Sequence, residues 1–134
     1  MLVSVIVTTK NEERNIGHCM KSIKFQSYEN REIIVIDNFS TDKTKEIALK
    51  YINKVYDKGP ERSAQRNFGM INIAKGKYVM FVDADMILSP RLVESCVKEM
   101  EKDCQSLTSN FQTQPLKPET QNLQLITQHQ VPKI

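Results

Sequence analysis

The fold is decided by the stretch Tyr78-Val79-Met80-Phe81-Val82-Asp83-Ala84-Asp85, an apolar run that ends in two aspartates. The run is too short for a helix, and its composition predicts a buried strand of a parallel sheet. Because side chains alternate along a strand, Asp83 and Asp85 fall on one side, with Ala84 opposite. Both carboxylates can then face one hard cation beyond the carboxyl end of the strand. The alternative is a pair of turn or capping aspartates, and Asp-x-Asp alone does not decide between the two.

Short apolar runs alternate with helix-like stretches over the first hundred residues. We predict strands at residues 2–7, 33–36, 54–56 and 78–82, and helices at 13–24, 42–52 and 62–74. A fourth helix is predicted from Ser89-Pro90 to about Glu101. Helical spacing places Ile71 on the inward face of the third helix, and Cys96 and Met100 on that of the fourth. The alternation predicts an α/β fold with a mainly parallel sheet and helices on both of its faces.

Ligands of such a sheet bind at the strand ends, and the loop after the first strand is Thr8-Thr9-Lys10-Asn11-Glu12. A dinucleotide-binding fold needs glycines there, but the chain has only 4 Gly, the earliest being Gly17. No glycine-rich turn ends in Lys-Ser or Lys-Thr either, which excludes a P-loop. The loop instead offers hydroxyl, amide and carboxylate groups, which are suited to hydrogen bonds with a base or a sugar.

Two further groups of polar residues follow the predicted strands. Asp37 ends the second strand and can accept a hydrogen bond from a ribose hydroxyl or a base N–H, whereas the adjoining Ser40-Thr41-Asp42 is typical of a turn and helix cap. Arg62 and Arg66 lie one helical turn apart and can meet a pyrophosphate. Taken alone, the two arginines are more typical of a solvated basic face than of a ligand site.

Four blocks, in this order, resemble the family 2 glycosyltransferases, which have the GT-A fold. The blocks are Val3–Glu13, Ile34–Thr44, Ala64–Gly69 and Val82–Asp85. The resemblance implies that the loop after the first strand and the acid after the second hold the nucleotide of a nucleotide sugar. By this resemblance Thr8, Thr9 and Glu12 line the nucleoside pocket, and Asp37 binds the base. UDP-type or GDP-type donors are therefore the expected partners.

The same resemblance assigns the diphosphate and metal contacts. Arg66 of the Arg66-Asn67 pair, rather than Arg62, is expected to contact the diphosphate. Asp83 and Asp85 form the metal-binding motif, in which Asp85 is the direct ligand of Mg²⁺ or Mn²⁺ and Asp83 faces the sugar or ribose. The implied reaction is transfer of the sugar to an acceptor, in which the metal and an arginine stabilise the leaving diphosphate. We identify no general base in the sequence, so the catalytic residue stays unassigned.

The family pattern ends after the fourth helix. We predict a nucleotide-sugar-binding domain over residues 1–104 and a Gln/Pro/Thr-rich tail over 105–134, poorly ordered or contributing one strand at Leu123–Ile126. The C-terminal part of the GT-A domain is thus expected to be incomplete, and the chain to be truncated, a fragment, or completed by a partner. A non-catalytic nucleotide-sugar-binding module is the alternative to a transferase. We expect an exposed sheet edge to promote self-association.

Bulk composition narrows the possible partners and location. With 19 Lys and Arg against 16 Asp and Glu, the net charge of +3 is dispersed, which does not favour nucleic acid. No stretch approaches the roughly 20 apolar residues of a membrane span, and no signal peptide is recognised. The 3 Cys are too few and too widely spaced for a disulfide framework. We expect a cytoplasmic protein, with a membrane-peripheral location as the alternative.

Overall fold

The computed structural model describes residues 1–111, with side chains described up to residue 106. The strands are β1 (Val3–Thr9), β2 (Arg31–Asp37), β3 (Val55–Asp57) and β4 (Tyr78–Asp83). The helices are α1 (Ile16–Lys24), α2 (Thr44–Ala48), α3 (Arg62–Phe68) and α4 (Leu92–Phe111). Helix α3 continues directly into a π-helical segment, Gly69–Ile73, which we call the π-segment. Strands and helices alternate as predicted.

The four strands form one sheet in the order β3-β2-β1-β4, and every neighbouring pair is parallel. Strand β1 lies in the centre, and all seven of its residues are buried. The register pairs Thr8 with Asp83 of β4, and Thr9 with Asp37 of β2. The predicted parallel sheet is therefore confirmed, and its register brings the loops after β1, β2 and β4 to one edge.

Helices cover both faces of the sheet, because alternate residues of β1 enter two separate apolar cores. Val3, Val5 and Val7 belong to the larger core, to which α1, α2 and α4 contribute residues. Ile6 belongs to the smaller core, with partners from β2, α3 and the π-segment. Helix α3, whose N-terminal part borders the predicted binding edge, is thus held against the face opposite α1.

Two helices are shorter than predicted because turns replace one end of each. Helix α1 begins at Ile16 rather than residue 13, since the N–H groups of Asn15 and Ile16 both donate to the carbonyl oxygen of Glu12 in a turn. Helix α2 ends at Ala48 rather than residue 52. The N-cap residue of α2 is Lys43, which makes no side-chain cap. Asp42, one residue earlier, instead accepts a hydrogen bond of 2.9 Å from the N–H of Thr44, so the predicted cap residue lies one position outside the helix end.

The prediction that Ile71 faces inward is wrong. Its side chain is 73% exposed, whereas Gly69 is buried and Ile73 packs against the smaller core. The reason is the π-segment, in which the N–H of Ala74 donates to the carbonyl oxygen of Gly69. This wider turn changes the helical period, so that a simple α-helical spacing assigns the wrong side chain to the core.

Helix α4 also departs from its prediction, since it continues past Glu101 to Phe111. Val93 and Val97 are buried, but Cys96 is exposed and Met100 is 49% exposed, so the predicted core face was too wide. Contacts divide the chain into two units, Met1–Lys98 and Glu99–Ile134. The predicted strand at Leu123–Ile126 lies outside the described residues. No helix in the described part of the chain is long and apolar enough to cross a membrane.

Candidate functional site

A cavity of about 200 Å³ opens at the carboxyl edge of the sheet, beside the ends of β1 and β4. Its walls combine hydroxyl, amide, carboxylate and cationic groups, supplied by Thr8, Thr9, Lys10, Glu12, Asn38, Arg62, Gln65, Asp83, Ala84 and Asp85. Binding pockets for drug-sized ligands usually have volumes of about 300–1,000 Å³. A ligand the size of a nucleotide sugar would therefore extend from this cavity over the neighbouring surface.

Asp83 is the centre of the charged network at this edge. Its carboxylate accepts hydrogen bonds from Thr8 Oγ1 at 3.0 Å, from Arg66 at 3.0 Å and from Arg62 at 3.2 Å. The three donors come from β1 and from one face of α3, as the spacing of the two arginines predicted. Two cations and a hydroxyl therefore orient this carboxylate, whose side chain is 17% exposed.

The two arginines differ in their surroundings. Arg66 lies with its guanidinium carbon 5.6 Å from the centre of the Phe81 ring, and its Nε is buried without a hydrogen-bond partner. The Arg62 side chain is 64% exposed and lines the cavity. Arg66 is predicted to contact the diphosphate, but the structure places Arg62 among the cavity residues and Arg66 next to them.

Asp85 is the second aspartate of the motif, and it lines the same cavity as Asp83. It is exposed, and none of the described groups forms a hydrogen bond or an ion pair with its carboxylate. The described residues contain no group of three His, Cys, Asp or Glu side chains that could hold a metal ion. Magnesium sites commonly use only one or two carboxylates and complete the shell with phosphate oxygens and water. The pair of aspartates fits such a site and does not fit a closed structural zinc site.

The loop after β1 is held in place by the loop after β2. Asn11 has a positive φ of 50°, and its side-chain oxygen accepts a hydrogen bond of 2.8 Å from the N–H of Thr41. The N–H of Glu12 donates to Thr44 Oγ1 at 2.8 Å. Within the cavity wall, Thr9 Oγ1 is buried and has no hydrogen-bond partner. Within the described residues, the hydrogen-bonding capacity of that buried hydroxyl is therefore unused, and the ligand role expected for this loop stays a prediction.

Asp37 lies at the end of β2 but outside the cavity wall. Its side chain is fully buried, and its two oxygens accept hydrogen bonds from the N–H of Ser40 at 2.8 Å and from Ser40 Oγ at 2.5 Å. Lys45 Nζ is 3.8 Å from the same carboxylate. In this structure Asp37 shapes the turn after β2, and its assignment to a base stays a prediction.

Sequence reasoning missed two polar residues of the cavity wall, Asn38 and Gln65. Both are almost fully buried, and both donate to backbone carbonyl oxygens: Asn38 to Pro60 at 2.7 Å, and Gln65 to Thr9 and Ile36. A Cβ atom on Gly59 would lie 2.1 Å from the Asn38 side chain, so glycine is required there. For Gln65, the available signal in the sequence was its place in α3, one residue before Arg66.

A buried thiol lies directly behind the two aspartates. Cys19 of α1 is fully buried, and its Sγ lies 3.7 Å from the backbone carbonyl oxygen of Asp83. Burial, together with the negative charges of Asp85 and Asp83, raises the pKa of this thiol to about 11. Cys19 is therefore a packing residue and carries a proton at neutral pH.

Comparison with known proteins identifies the same pattern. The sequence model of Glycosyl transferase family 2 matches residues 4–128, so the prediction that the family pattern ends after the fourth helix is wrong. Glycosyltransferase GlyG of Streptococcus pneumoniae is 34% identical over 119 residues, which is 82% of this chain and 39% of GlyG. An uncharacterized glycosyltransferase of Haemophilus influenzae is 40% identical over 109 residues, 76% of this chain and 33% of that protein. The chain thus spans little more than a third of the length of these relatives.

Solved structures show the same fold. A Staphylococcus aureus TarS structure in complex with UDP-GlcNAc superposes with a TM-score of 0.65 and 31% identity, covering 76% of this chain and 32% of that one. The mannosyltransferase PcManGT of Pyrobaculum calidifontis, in complex with GDP-Man and Mn²⁺, has a TM-score of 0.59 and 28% identity, covering 66% and 29%. The described sheet and its helices therefore have the GT-A fold, as predicted, and match about a third of each of these solved chains.

Proposed function

The chain belongs to Glycosyl transferase family 2, and on that basis we propose that its cavity binds a nucleotide-diphosphate sugar, with a divalent cation, for transfer of the sugar to an acceptor. The observation that carries the proposal is the convergence of two aspartates and two arginines at one sheet edge. Asp83 accepts from both Arg62 and Arg66, and Asp85 lies in the same cavity. Such an arrangement is suited to a dianionic diphosphate that shares a metal with a carboxylate.

We assign each part of the donor nucleotide sugar to the residues whose side chains suit it chemically. Thr8, Thr9 and Glu12 offer hydroxyl and carboxylate groups to the nucleoside, and the buried, unpartnered Oγ1 of Thr9 supports this role. Arg66 and Arg62 offer guanidinium groups to the diphosphate. We also retain Asp37 as a ligand of the base, which requires that its bonds to Ser40 are exchanged for bonds to the ligand.

Asp85 and Asp83 would hold the cation, Mg²⁺ or Mn²⁺, of which Asp85 is the direct ligand. The exposed, unpaired carboxylate of Asp85 supports this order, since Asp83 is already engaged by two arginines. When bound, the cation would neutralise charge on the leaving diphosphate. The protein's own contribution would be to hold the guanidinium groups of Arg62 and Arg66 in place through their ion pairs with Asp83, so that they need little reorganisation when the diphosphate binds.

A donor-binding module without transferase activity is the second candidate function. It is favoured by the composition of the cavity wall. Among the described residues, its carboxylates are those of Glu12, Asp83 and Asp85, and all three are already assigned to the nucleotide or the cation. No described carboxylate is left to deprotonate an acceptor hydroxyl. In the module, sugar binding would persist and transfer would require another chain or segment.

We further propose a cytoplasmic protein that self-associates through β4. Strand β4 is at the edge of the described sheet, and no described strand pairs with its outer side. Residues 78–82 contain no charge or proline that would discourage pairing, and Phe81 is 39% exposed. The outer edge of β4 would therefore pair with β4 of a second copy.

The test of the proposed function is calorimetric titration of UDP and GDP in the presence of Mn²⁺, repeated without metal and with Asp85→Ala. We expect metal-dependent binding that the substitution weakens at least tenfold, because a charge-assisted contact contributes about 1.5–3 kcal/mol. Glu99→Ala is the matched control, since Glu99 is an exposed carboxylate of α4 that pairs with Lys102.

Two results would count against the proposal. Absence of heat for both nucleotides, from protein with a cooperative unfolding transition, would exclude the donor site. Equal metal-dependent affinity of the wild type and Asp85→Ala would exclude Asp85 as the metal ligand. Transfer of sugar from a bound donor to a panel of acceptors separates the transferase from the binding module.

A further inference from the structure

We infer that the side-chain carbonyl oxygen of Gln65 selects the donor nucleotide by accepting a hydrogen bond from its nucleoside. The group that it recognises is a ligand N–H or O–H, and a ligand acceptor is disfavoured at the same position. This inference rests on the proposed nucleotide-sugar site, because it assigns one further contact within that cavity. Neither the family resemblance nor the sequence pattern assigned a role to this residue.

The orientation of the Gln65 amide is fixed by its surroundings. The side chain is 4% exposed, and its Nε2 lies 2.7 Å from the carbonyl oxygen of Ile36 and 3.1 Å from that of Thr9. Both backbone oxygens can only accept hydrogen bonds, so the amide atom that faces them is the nitrogen. Both of its N–H groups are thereby used, and they tie α3 to the ends of β1 and β2.

The other end of the amide is left for a ligand. Gln65 belongs to the cavity wall, and among the described residues no N–H or O–H group donates to its Oε1. Oε1 is not one of the fully buried, unpartnered polar atoms of the described residues, so part of its surface is accessible, and Gln65 borders the cavity. The amide therefore presents a fixed acceptor and no donor to the cavity.

A second buried glutamine shows what a purely structural amide looks like in this chain. Gln26 is 5% exposed, and its Nε2 donates to the carbonyl oxygens of Ser22 at 3.2 Å and Ser89 at 2.6 Å. Its Oε1 accepts a hydrogen bond of 3.1 Å from the N–H of Val93. Gln26 is thus satisfied at both ends within the fold, whereas Gln65 is satisfied only at its nitrogen.

The fixed acceptor predicts which nucleosides fit. The imide N–H of uracil or thymine, the ring N–H of guanine, and the ribose hydroxyls all donate, so each can satisfy Oε1. At the corresponding ring position, N3 of cytosine and N1 of adenine accept and would face Oε1 with a second acceptor, whereas their exocyclic amino groups donate. The preferred member of each pair therefore identifies which group of the base faces Oε1. A buried polar group left without its partner costs about 1–3 kcal/mol, which corresponds to roughly a five- to 150-fold loss of affinity.

The experiment compares nucleotides with and without the donor group, by calorimetry with Mn²⁺, on the full chain. The base is tested with CDP against UDP and with ADP against GDP, and the ribose is tested with the 2′-deoxy and 3′-deoxy forms of UDP. For the wild type we expect about tenfold weaker binding of whichever form lacks the group that Oε1 accepts. The form affected identifies the base or the ribose as the source of the hydrogen bond.

The variant Gln65→Met removes the acceptor while keeping a side chain of similar length. We expect the tenfold discrimination to fall to about twofold or less in Gln65→Met and to persist in Gln26→Met, which loses a comparable set of buried hydrogen bonds away from the cavity. A residue that only positions α3 would weaken all nucleotides by the same factor. The ratio between matched ligands is therefore the readout that separates recognition from positioning.

The outcomes separate this inference from the proposed function. If the wild type binds none of the nucleotides, the proposed site is wrong and the role of Gln65 falls with it. If the wild type binds UDP or GDP but discriminates equally in Gln65→Met, the inference alone is overturned. Should Gln65→Met not fold, the wild-type data still decide, because equal affinity for every matched pair contradicts a donor-selecting acceptor.

Discussion

Gly69 sets the distance between α3 and the sheet, and replacing it with alanine should push the two apart. The residue has helical backbone angles, φ −61° and ψ −45°, so alanine fits the backbone without strain. An added Cβ, however, would lie 2.9 Å from Ile6 Cγ2 and 3.3 Å from Ile36 Cγ1. Both isoleucines are fully buried and stiff at χ1, so neither strand can yield cheaply.

Gly17 supplies a matched control within the same chain. It lies in α1, where an added Cβ would meet Ile47 Cγ2 at 3.4 Å, an ordinary van der Waals contact. Replacing glycine with alanine inside a helix stabilises by roughly 0.5–1 kcal/mol, and this gain applies to both positions. Overpacking a core lowers the free energy of unfolding by about 1–3 kcal/mol, and this cost applies only to Gly69→Ala.

The two variants should therefore differ in their free energy of unfolding by about 1–3 kcal/mol, with Gly69→Ala the less stable. Urea unfolding followed by circular dichroism measures this directly. With a slope of about 1–3 kcal/mol per molar urea, the midpoints should be separated by about 1 M. Because α3 carries Arg62 and Arg66, Gly69→Ala should also weaken UDP or GDP binding relative to Gly17→Ala.

Coincident urea midpoints for Gly69→Ala and Gly17→Ala would refute this reasoning. They would show that the two strands move aside without cost, and that the close approach of the π-segment to the sheet does not fix α3. A destabilised Gly69→Ala that keeps full nucleotide affinity would confirm the packing argument. It would refute the connection between that packing and the position of the arginines.

Three further predictions concern reactivity, acid stability and assembly. At pH 8 a thiol reagent should label Cys96 and Cys104 readily and Cys19 only after unfolding, because Cys19 is buried with its pKa raised to about 11; rapid labelling of all three in the folded protein would contradict this. Hydrogen bonds from three side chains lower the pKa of Glu94 to about 2. The carboxylate therefore stabilises the fold fully above its unfolded pKa of about 4.5, and this stabilisation is lost as the pH falls toward 2. The urea midpoint of Glu94→Gln should approach that of the wild type between pH 4.5 and 2, and a constant difference between the two midpoints would contradict this. Light scattering should show Phe81→Lys as a monomer at concentrations where the wild type associates, and a monomeric wild type would remove the basis for pairing through β4.

The sheet was predictable because its signal is local. Each strand is a short apolar run bounded by polar turns, and each lies within two residues of its predicted bounds at either end. The helix ends were less predictable, because they depend on hydrogen bonds to distant loops. For example, Thr44 Oγ1 at the start of α2 accepts a hydrogen bond from the N–H of Glu12, in the loop after β1. No local sequence pattern encodes this contact.

The candidate site shows the same division. Thr8, Thr9, Glu12, Asp83 and Asp85 were assigned from sequence, and the structure brings all five to one cavity. Their convergence follows from the rule that parallel strands end at one edge. The choice between Arg62 and Arg66, the buried state of Asp37, and the amide of Gln65 could not be predicted, since each depends on how deeply α3 packs on the sheet.

The central position of β1 has a consequence for how this protein is made. Strands β1 and β2 are close in the chain and can pair soon after synthesis, whereas the bond between Thr8 and Asp83 joins residues 75 positions apart. Contacts across such separations form late, because a long loop must close first. On the ribosome, β1 therefore remains unpaired on one side until β4 emerges, and among the described strands the edge that carries the candidate site is assembled last. Ligand binding by a nascent chain would therefore report that β4 has paired with β1.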